Sequence, residues 1–297
     1  MARSVSVVIP ARNAAATIGS VLEALAAQTH AAEEVIVVDD ASEDGTPAIA
    51  EARGVKVVRL EQSVSAGGAR NRGWEEARGD VVVFLDSDAV PAAGWGEGVR
   101  RAAKEFPRAV VAGARTFTAR TRWGWVSHLS LETPHLPRGV PRERPTLSSF
   151  CLLVPRDAPL RWHESYGGED GLFSVDAKKA GLRLVFDPRF HALHDHRRES
   201  FSELRRQQRR VVYGLARGRG LLDEPFYRRL SPRFPLHYFA LVRLPVIYSR
   251  IRDDSELRVR FLRLLPWLVV GEWLFGMSAC RYVLRRPNPG DPARTFG

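Results

Sequence analysis

Two aspartates separated by a single residue, Asp86 and Asp88, stand at the end of an apolar run in the segment FLDSDAVP (84–91). While a chain is extended, side chains two positions apart point to the same side, so both carboxylates can reach one divalent cation. Oxygen ligands of this kind suit Mg²⁺ or Mn²⁺ held jointly with phosphate oxygens, where the cation neutralises a diphosphate leaving group. The same residues also fit a plain turn before Pro91, with aspartate side chains bonded to the local backbone.

Short runs rich in β-branched residues alternate with helical patterns in the first 90 residues. The predicted strands are SVSVVIP (4–10), EVIVVDD (34–40), VKVVRL (55–60) and DVVVFLD (80–86). Such continuous apolarity is typical of parallel strands covered on both faces. Residues 14–28 form a predicted helix whose apolar stripe is Ile18, Val21, Leu22 and Leu25. Thr46 followed by Pro47 predicts a helix cap and a first helical residue.

Polar residues follow three of these strands. They are Pro10 to Asn13, Asp39 with Asp40, and Asp86 to Asp88. In a doubly wound sheet built from βαβ units, ligands bind outside the carboxyl ends of the strands. We therefore predict an α/β fold with a Rossmann-like, mostly parallel central sheet and flanking helices, and a single site at these strand ends.

The sequence lacks the motifs that mark several other classes of protein. No GxGxxG follows the first strand and no GxxxxGK[ST] occurs, which argues against a dinucleotide enzyme and a P-loop NTPase. Cys151 and Cys280 are the two cysteines, far apart and outside any CxxC, so a disulfide framework or a structural zinc site is not predicted. The N-terminal residues show no signal-peptide pattern. We expect a cytoplasmic protein.

Five segments together resemble the family 2 glycosyltransferases. They are SVVIPARNAAATIGSVLEALAAQT, VIVVDDASEDGT, AGGARNRG, FLDSDAVP and YGGEDGLF, in the family's order and spacing over about residues 4–196. The resemblance implies the GT-A fold of nucleotide-diphospho-sugar transferases. It also implies inverting transfer of a sugar from a nucleotide-sugar donor to an acceptor hydroxyl, with Mn²⁺ or Mg²⁺ as cofactor.

The resemblance assigns roles on the donor side. It implies that Pro10, Ala11 and Arg12 line the nucleoside and that Asp40 reads the base, while Asp39 binds or braces the loop. Asn71 corresponds to a helix residue near the donor sugar, Asp86 would contact the ribose or the sugar, and Asp88 would be the direct metal ligand. Local alternatives are turn or capping carboxylates in DDASEDGT and an ordinary polar helix start at Asn71.

The acceptor side falls in RWHESYGGEDGLFSVDAKKAGLRLVFDP (161–188). An alcohol is a poor nucleophile, and a carboxylate can accept its proton as the new bond forms. Asp170 matches the family's base, and Glu169 would organise the loop or hold the acceptor. Acids in a first helical turn are also favoured by the helix dipole alone.

Three histidines follow this segment, in FHALHDHRRES (190–200). The resemblance implies that His194 completes the metal or diphosphate site, with His196 as the substitute; His191 is the third. The alternative is a set of exposed basic residues. The segment reads GEDGLFSVD where relatives more often have GEDVDL, which leaves the acceptor open.

The charge of +11 is unevenly distributed. Residues 1–196 carry a net charge of −1 and residues 197–297 a net charge of +12, all of the excess being arginine. We predict a catalytic domain over 1–200, with a nucleotide-sugar half (1–114) and an acceptor half (115–200). Residues 201–297 form a predicted basic, partly apolar helical region. Within it, Gln207 and Arg210 have the QxxR spacing of processive synthases, but Val211 replaces the tryptophan of QxxRW.

Two apolar stretches, 234–251 and 261–286, suggest contact with an anionic membrane surface. Because a charge at mid-helix is costly in a bilayer, we expect helices lying at the interface rather than spanning. Packing on the catalytic domain or on a second copy is the alternative. Nucleic acid is not expected as a partner, because no nucleic-acid module accompanies the arginines.

We therefore predict a metal-dependent inverting glycosyltransferase on the inner face of the cell membrane, with a lipid-linked or cell-envelope glycan acceptor. The alternatives are a sugar-nucleotide-binding protein without transfer activity and a nucleotidyltransferase of the same fold. The donor base, the sugar, the acceptor and the oligomeric state are not predicted.

Overall fold

A computed structural model of the 297-residue chain describes residues 3–30, 32–164, 168–195, 199–221 and 240–284. Contacts divide the chain into two compact units. The first comprises Met1–Thr116 and His135–Asp195, and the second comprises Phe117–Pro134 and His196–Gly297. The predicted domain boundary at residue 200 stays a prediction. The segment 117–134 packs with the C-terminal helices rather than with the acceptor half to which it was assigned.

The first unit contains nine strands and five helices among its described residues. The strands are β1 (Val5–Ala11), β2 (Glu34–Asp39), β3 (Lys56–Arg59), β4 (Val81–Leu85), β5 (Ala89–Pro91), β6 (Ala109–Thr116), β7 (Arg142–Glu143), β8 (Cys151–Pro155) and β9 (Arg183–His194). The helices are α1 (Ile18–Ala26), α2 (Thr46–Glu51), α3 (Ser65–Glu76), α4 (Trp95–Glu105) and α6 (Glu169–Lys179). The four predicted strands are confirmed to within about one residue at each end.

One sheet joins all nine strands in the order β3-β2-β1-β4-β8-β6-β9-β5, and β7 pairs with β9. The neighbours β3, β2, β1 and β4 are parallel, as the continuous apolar runs predicted. Beyond β4 the sheet is mixed, because β8 is antiparallel to both β4 and β6 whereas β6 and β9 are parallel. "Mostly parallel" therefore describes the donor half, while the acceptor half adds antiparallel strands that the sequence pattern did not reveal.

Apolar side chains cover both faces of the sheet. The predicted stripe of α1 is buried, and it packs with β1 and β4 on one face. Trp74 of α3 and Phe173 of α6 belong to the cluster on the other face. Helix α2 begins at Thr46, one residue before the predicted first helical position. Its entry is held by Asp44, whose Oδ1 accepts the Thr46 N–H at 3.0 Å.

Two glycines of the AGGARNRG segment allow α3 to approach its neighbours closely. A β-carbon at Gly67 would lie 2.2 Å from the His163 carbonyl oxygen, and one at Gly73 would lie 2.2 Å from Cγ1 of Val8. Real β-carbons do not approach other atoms this closely. The glycines therefore let α3 lie directly against β1 and against the segment that precedes α6.

The second unit is helical. Its helices are α5 (Arg122–Leu131), α7 (Phe201–Leu221), α8 (Ala240–Ile251), α9 (Ser255–Arg263) and α10 (Leu265–Leu284). The helical character predicted after residue 200 is confirmed for the described part; residues 234–239 and 285–286 of the two apolar stretches lie outside it. No described helix is long and apolar enough to cross a membrane by itself. Ser255–Arg263 and Leu265–Ser278 pass that test only as a pair bent by 77°.

Candidate active site

Asp86, Asp88 and His194 each bring one ligand atom to within 4.8 Å of the others, which makes them a candidate metal site. The aspartates lie between β4 and β5, and His194 ends β9. Antiparallel pairing places His194 opposite Ala89, so that its Nε2 lies 3.0 Å from Oδ1 of Asp88. The aspartate side chains are 26% and 30% exposed and can be reached by a ligand. Asp86 and Asp88 thus follow a strand in a turn, and they also contact residues that are distant in the sequence.

The carboxylates of Asp86 and Asp88 suit a hard divalent cation. Whether His194 can also bind that cation depends on which ring nitrogen carries the proton. Nη1 of Arg115 lies 3.3 Å from Nδ1 of His194, and a guanidinium can only donate. Nδ1 therefore accepts, and the proton of the neutral ring is on Nε2, which donates to Asp88. Coordination through Nε2 would need the ring proton on Nδ1 and a shift of Arg115. In this arrangement His194 orients Asp88.

Arg70 is the central residue that sequence reasoning missed, although it lies within the ARNRG motif. Its side chain is 4% exposed, and Nη2 donates to Oδ1 of Asp86 at 2.8 Å. Nη1 lies 3.8 Å from Oε1 of Glu169, and the guanidinium lies 4.8 Å above the ring of Trp162. Its pKa is raised, because Asp86, Asp170 and Glu169 outweigh the desolvation that lowers it. Arg70 thus joins the metal-site acids to the acids of α6.

Nε and Nη1 of Arg70 are buried and have no hydrogen-bond partner among the described residues. A buried guanidinium without partners for its N–H groups is unfavourable by itself. These donors therefore suit an additional acceptor, such as an oxygen of a bound ligand.

Glu169 and Asp170 occupy the first turn of α6, which starts after Gly168 in a left-handed conformation (φ 82°). Oδ1 of Asp170 is buried, and no described residue bonds to it. The pKa of Glu169 is raised from its ordinary value of 4.5, first by burial and then by the neighbouring Asp170. Glu169 is therefore held where its ionisation is unfavourable, as is common for acids in acid–base sites.

Asn71 is buried on α3, and its predicted role beside the donor sugar stays a prediction. Its Nδ2 donates to the carbonyl of Trp162 at 3.0 Å and to Oε1 of Glu164 at 3.2 Å, while its Oδ1 accepts the Trp162 N–H at 2.8 Å. Because both N–H donors of the amide are engaged, Asn71 fastens α3 to the segment that leads into α6. The structure shows a positioning contact here.

Asp39 ends β2 and Asp40 follows it, in a different environment. Oδ1 and Oδ2 of Asp40 accept from the Val64 N–H at 2.7 Å and from the Ser63 hydroxyl at 2.8 Å, so Asp40 anchors the chain that enters α3. A carboxylate oxygen can accept a second hydrogen bond, so these contacts leave room for a base. Oδ1 of Asp39 is buried and has no hydrogen-bond partner within the described ranges.

The other predicted nucleoside residues end β1. Pro10 is half-buried, Ala11 is buried and Arg12 is exposed. Non-glycine residues with positive φ flank this region, namely Asn13 (50°), Ala41 (54°) and Ser65 (80°). Such conformations are strained, and strain of this kind clusters at ligand sites.

Two other histidines belong to the group predicted around His194. His191 is half-buried, and burial lowers its pKa, whereas His196 lies outside the described residues.

A sequence model described as "Glycosyl transferase family 2" matches residues 6–158. Glycosyltransferase AglE from Haloferax volcanii is 30% identical over 255 residues, which cover 80% of this chain and 80% of AglE. The chain therefore belongs to glycosyl transferase family 2. Some relatives match over less of their length: the succinoglycan biosynthesis protein ExoO of Rhizobium meliloti is 42% identical over 87 residues, 28% of this chain and 25% of ExoO.

Solved structures support the same fold. Mannosyltransferase PcManGT from Pyrobaculum calidifontis, in complex with GDP-Man and Mn²⁺, aligns with a TM-score of 0.63 at 17% identity and covers 97% of this chain and 89% of its own. Glucosyl-3-phosphoglycerate synthase from Mycobacterium tuberculosis, with Mn²⁺, UDP and glucosyl-3-phosphoglycerate, aligns with a TM-score of 0.52 at 26% identity, over 75% of this chain and 82% of that one. The predicted GT-A fold is confirmed.

Proposed function

We propose that the protein is an inverting, metal-dependent glycosyltransferase that moves a sugar from a nucleotide-sugar donor to an acceptor hydroxyl. The observation that carries the proposal is the linkage of two acidic groups through one buried arginine. Asp86 and Asp88 form the donor end, Glu169 and Asp170 form the acceptor end, and Arg70 contacts both. A transferase needs these two ends side by side, because the acceptor oxygen must attack the carbon that the diphosphate leaves.

At the donor end, Asp88 would hold Mn²⁺ or Mg²⁺ together with the diphosphate, with Asp86 beside it. The ion would supply charge neutralisation for the departing diphosphate. Asp86 is oriented by Arg70 and would contact the ribose or the donor sugar. His194 would contribute through Asp88 or, after the proton shift described above, as a ligand. The two structural neighbours solved with Mn²⁺ support the choice of ion.

At the acceptor end, Asp170 would accept the proton of the acceptor hydroxyl while the oxygen of that hydroxyl forms a bond to the anomeric carbon of the donor sugar. The bond from that carbon to the diphosphate breaks at the same time, and the nucleoside diphosphate leaves from the opposite face. Attack opposite the leaving group inverts the anomeric configuration. Oδ1 of Asp170, buried and unpartnered within the part of the chain that the structure describes, is suited to this proton. Glu169 would hold the acceptor or the loop.

The nucleoside would lie over the ends of β1 and β2. Pro10, Ala11 and Arg12 would line it, and Asp40 would read the base through the remaining acceptor capacity of its carboxylate. Asp39, with its buried unpartnered oxygen, is a second candidate for this contact. Asn71 would act indirectly, by holding the segment before α6. Neighbours bound to UDP and to GDP-Man indicate the class of donor.

The proposed acceptor is a lipid-linked or cell-envelope glycan, and the proposed place of action is the cytoplasmic face of an anionic membrane. Relatives named for polysaccharide synthesis support the acceptor class, among them the succinoglycan protein ExoO and the putative teichuronic acid glycosyltransferase TuaG of Bacillus subtilis. The exposed apolar residues of the helical unit support the membrane partner.

Transfer and mere binding are separated by two variants tested in one assay series. A thermal-shift panel of UDP- and GDP-sugars with Mn²⁺ first selects the donor, because a ligand of the folded state stabilises it. Asp88→Ala should then abolish the Mn²⁺-dependent part of donor affinity in calorimetry. Asp170→Asn should retain donor affinity but lose about 10²- to 10⁴-fold in transfer to a membrane lipid extract, because a general base acts in the transition state.

The matched control is Asp176→Asn, which removes an exposed carboxylate of the same helix, bonded to His163. Transfer by Asp170→Asn within a few-fold of the Asp176→Asn rate would remove Asp170 as the base and make Glu169 the next residue to test. Loss of donor binding in Asp170→Asn would place this turn in the nucleotide site.

A further inference from the structure

We infer that the outward face of α9 and α10 docks on the surface of an anionic lipid bilayer. The inference deepens the membrane partner proposed above and rests on that proposal. The face is built around an outer stripe of α10 that consists of Leu265, Pro266, Val269, Val270 and Trp273.

Helix α10 differs from an ordinary surface helix because its outward face is apolar as well as most of its inner face. All five residues of the outer stripe are exposed, and none of them is charged or polar; half of the Trp273 side-chain surface (52%) is open to solvent. The charged residue within these turns, Glu272, is fully buried on the opposite side and paired with Arg243 of α8. Since a surface helix normally points its apolar stripe to the core, the outer stripe of α10 offers an apolar surface that a partner outside the protein can cover.

Helix α9 extends the apolar surface and adds positive charge beside it. Val259 and Leu262, one turn apart, are 46% and 56% exposed. Arg258 and Arg263 stand next to them in the sequence and are also exposed. Apolar and aromatic side chains beside arginines form the pattern by which amphipathic helices bind the headgroup region, with the arginines at anionic headgroups.

Two features favour a lipid surface as the occupant. Residues 240–284 contain seven arginines against four acidic residues, and one of the four is the buried Glu272. A second copy of the chain would bring the same excess of arginine to the contact, which like charge disfavours. Over residues 265–278 of α10, one face is open while Leu268, Gly271, Glu272 and Phe275 are buried, so this part of the helix is suited to lie in the interface.

The test is co-sedimentation of the full chain with vesicles of phosphatidylcholine alone or of phosphatidylcholine with phosphatidylglycerol. Wild type should bind the anionic vesicles, and the binding should weaken as salt rises, because the screening length is about 10 Å at 0.1 M ionic strength. The double variant Val269→Asp/Trp273→Asp should lose about tenfold or more of this binding, because aspartate is strongly disfavoured in apolar lipid.

The matched control is Val140→Asp, which places the same charge at a highly exposed valine of the other unit; it should bind as wild type does. Calorimetric affinity for the selected donor with Mn²⁺ should be unchanged in every variant, which keeps a failure of docking distinct from a failure of the transferase proposal. Wild-type vesicle binding by the double variant would overturn the inference. So would absence of binding by the wild type, or a wild-type dimer that the double variant converts to monomers.

Discussion

In each unit of the protein one arginine lies against carboxylates, and the two clusters differ in which partner is buried: the carboxylate of Glu272 in the second unit and the guanidinium of Arg70 in the first. In the second unit, Nε of Arg243 lies 2.5 Å from Oε2 of Glu272, and its Nη2 donates to the Ser130 carbonyl at 2.6 Å. Ser130 also donates through its hydroxyl to Glu272, so three helices meet at one cluster. In the first unit, Arg70 makes one short bond, to Asp86, and two of its nitrogens have no partner among the described residues.

The difference lies in how far solvent can reach the carboxylates of each cluster. Glu272 is fully buried, and among the described residues its carboxylate is paired with Arg243 and accepts a hydrogen bond from Ser130. The carboxylates around Arg70 remain partly accessible, with 26% of the Asp86 side chain and 18% of the Glu169 side chain exposed. An incomplete set of partners beside accessible acids is what a ligand with phosphate and hydroxyl oxygens would complete. We expect the two clusters to respond differently to the same substitution.

Arg243→Met should have the largest effect on stability, lowering the free energy of unfolding of the helical unit by about 3–5 kcal/mol. Removal of one partner leaves the buried Glu272 charge uncompensated. The double variant Arg243→Met/Glu272→Leu should recover most of the loss, because an apolar pair can replace a buried ion pair. Urea unfolding followed by circular dichroism measures both. Arg252→Met, at an exposed arginine, is the control. An equal loss of unfolding free energy in Arg252→Met would show that the buried ion pair has no special effect on stability.

Arg70→Met should lower the free energy of unfolding less, by about 1–2 kcal/mol, because water can reach the carboxylates that it leaves behind. Its clearer consequence should be functional: donor affinity in the presence of Mn²⁺ should fall, since Asp86 loses the group that orients it. Calorimetric titration and urea unfolding of one preparation give both numbers. Arg72→Met on the same helix is the control. A destabilisation as large as that of Arg243→Met would mean that Arg70 is a structural residue.

Glu169→Gln should have the smallest effect, visible as a change in the pH dependence of stability. Because the pKa of Glu169 is raised in the folded state, the folded protein holds a proton that the unfolded chain has released above about pH 4.5. The free energy of unfolding therefore falls as pH rises from 4.5 through the raised folded pKa. The glutamine variant should lack this contribution. The raised pKa of Glu272 lowers the free energy of unfolding with rising pH in both wild type and Glu169→Gln. The difference in unfolding free energy between these two proteins therefore reports on Glu169.

Urea unfolding at a series of pH values measures this difference, with the exposed Glu75→Gln as the control. Parallel curves for wild type and Glu169→Gln would show that Glu169 ionises in the folded protein as it does in the unfolded chain.

The sequence by itself determined the parts of the fold that depend on local pattern. Strands β1 to β4 follow from continuous β-branched runs, and the buried stripe of α1 follows from helical spacing. Asp39 and Asp88 were placed correctly beside the ends of β2 and β4, because parallel strands end at one edge of a sheet whatever their distant neighbours are. The combination of five short motifs sufficed for the family.

Only the tertiary structure decided which distant residues meet. His194 reaches Asp88, 106 positions away, through the antiparallel pairing of β5 with β9. Asn71 bonds to Trp162, 91 positions away, because Gly67 lets α3 approach that segment. In the sequence, Arg70 is one basic residue among many. The fold places it between Asp86 and the two acids of α6, Glu169 and Asp170. The exposed apolar stripe of α10 was equally hidden, since the sequence shows which residues are apolar but not which of them the fold leaves at the surface. Such contacts depend on strand register and helix packing over long separations, and no local spacing encodes them.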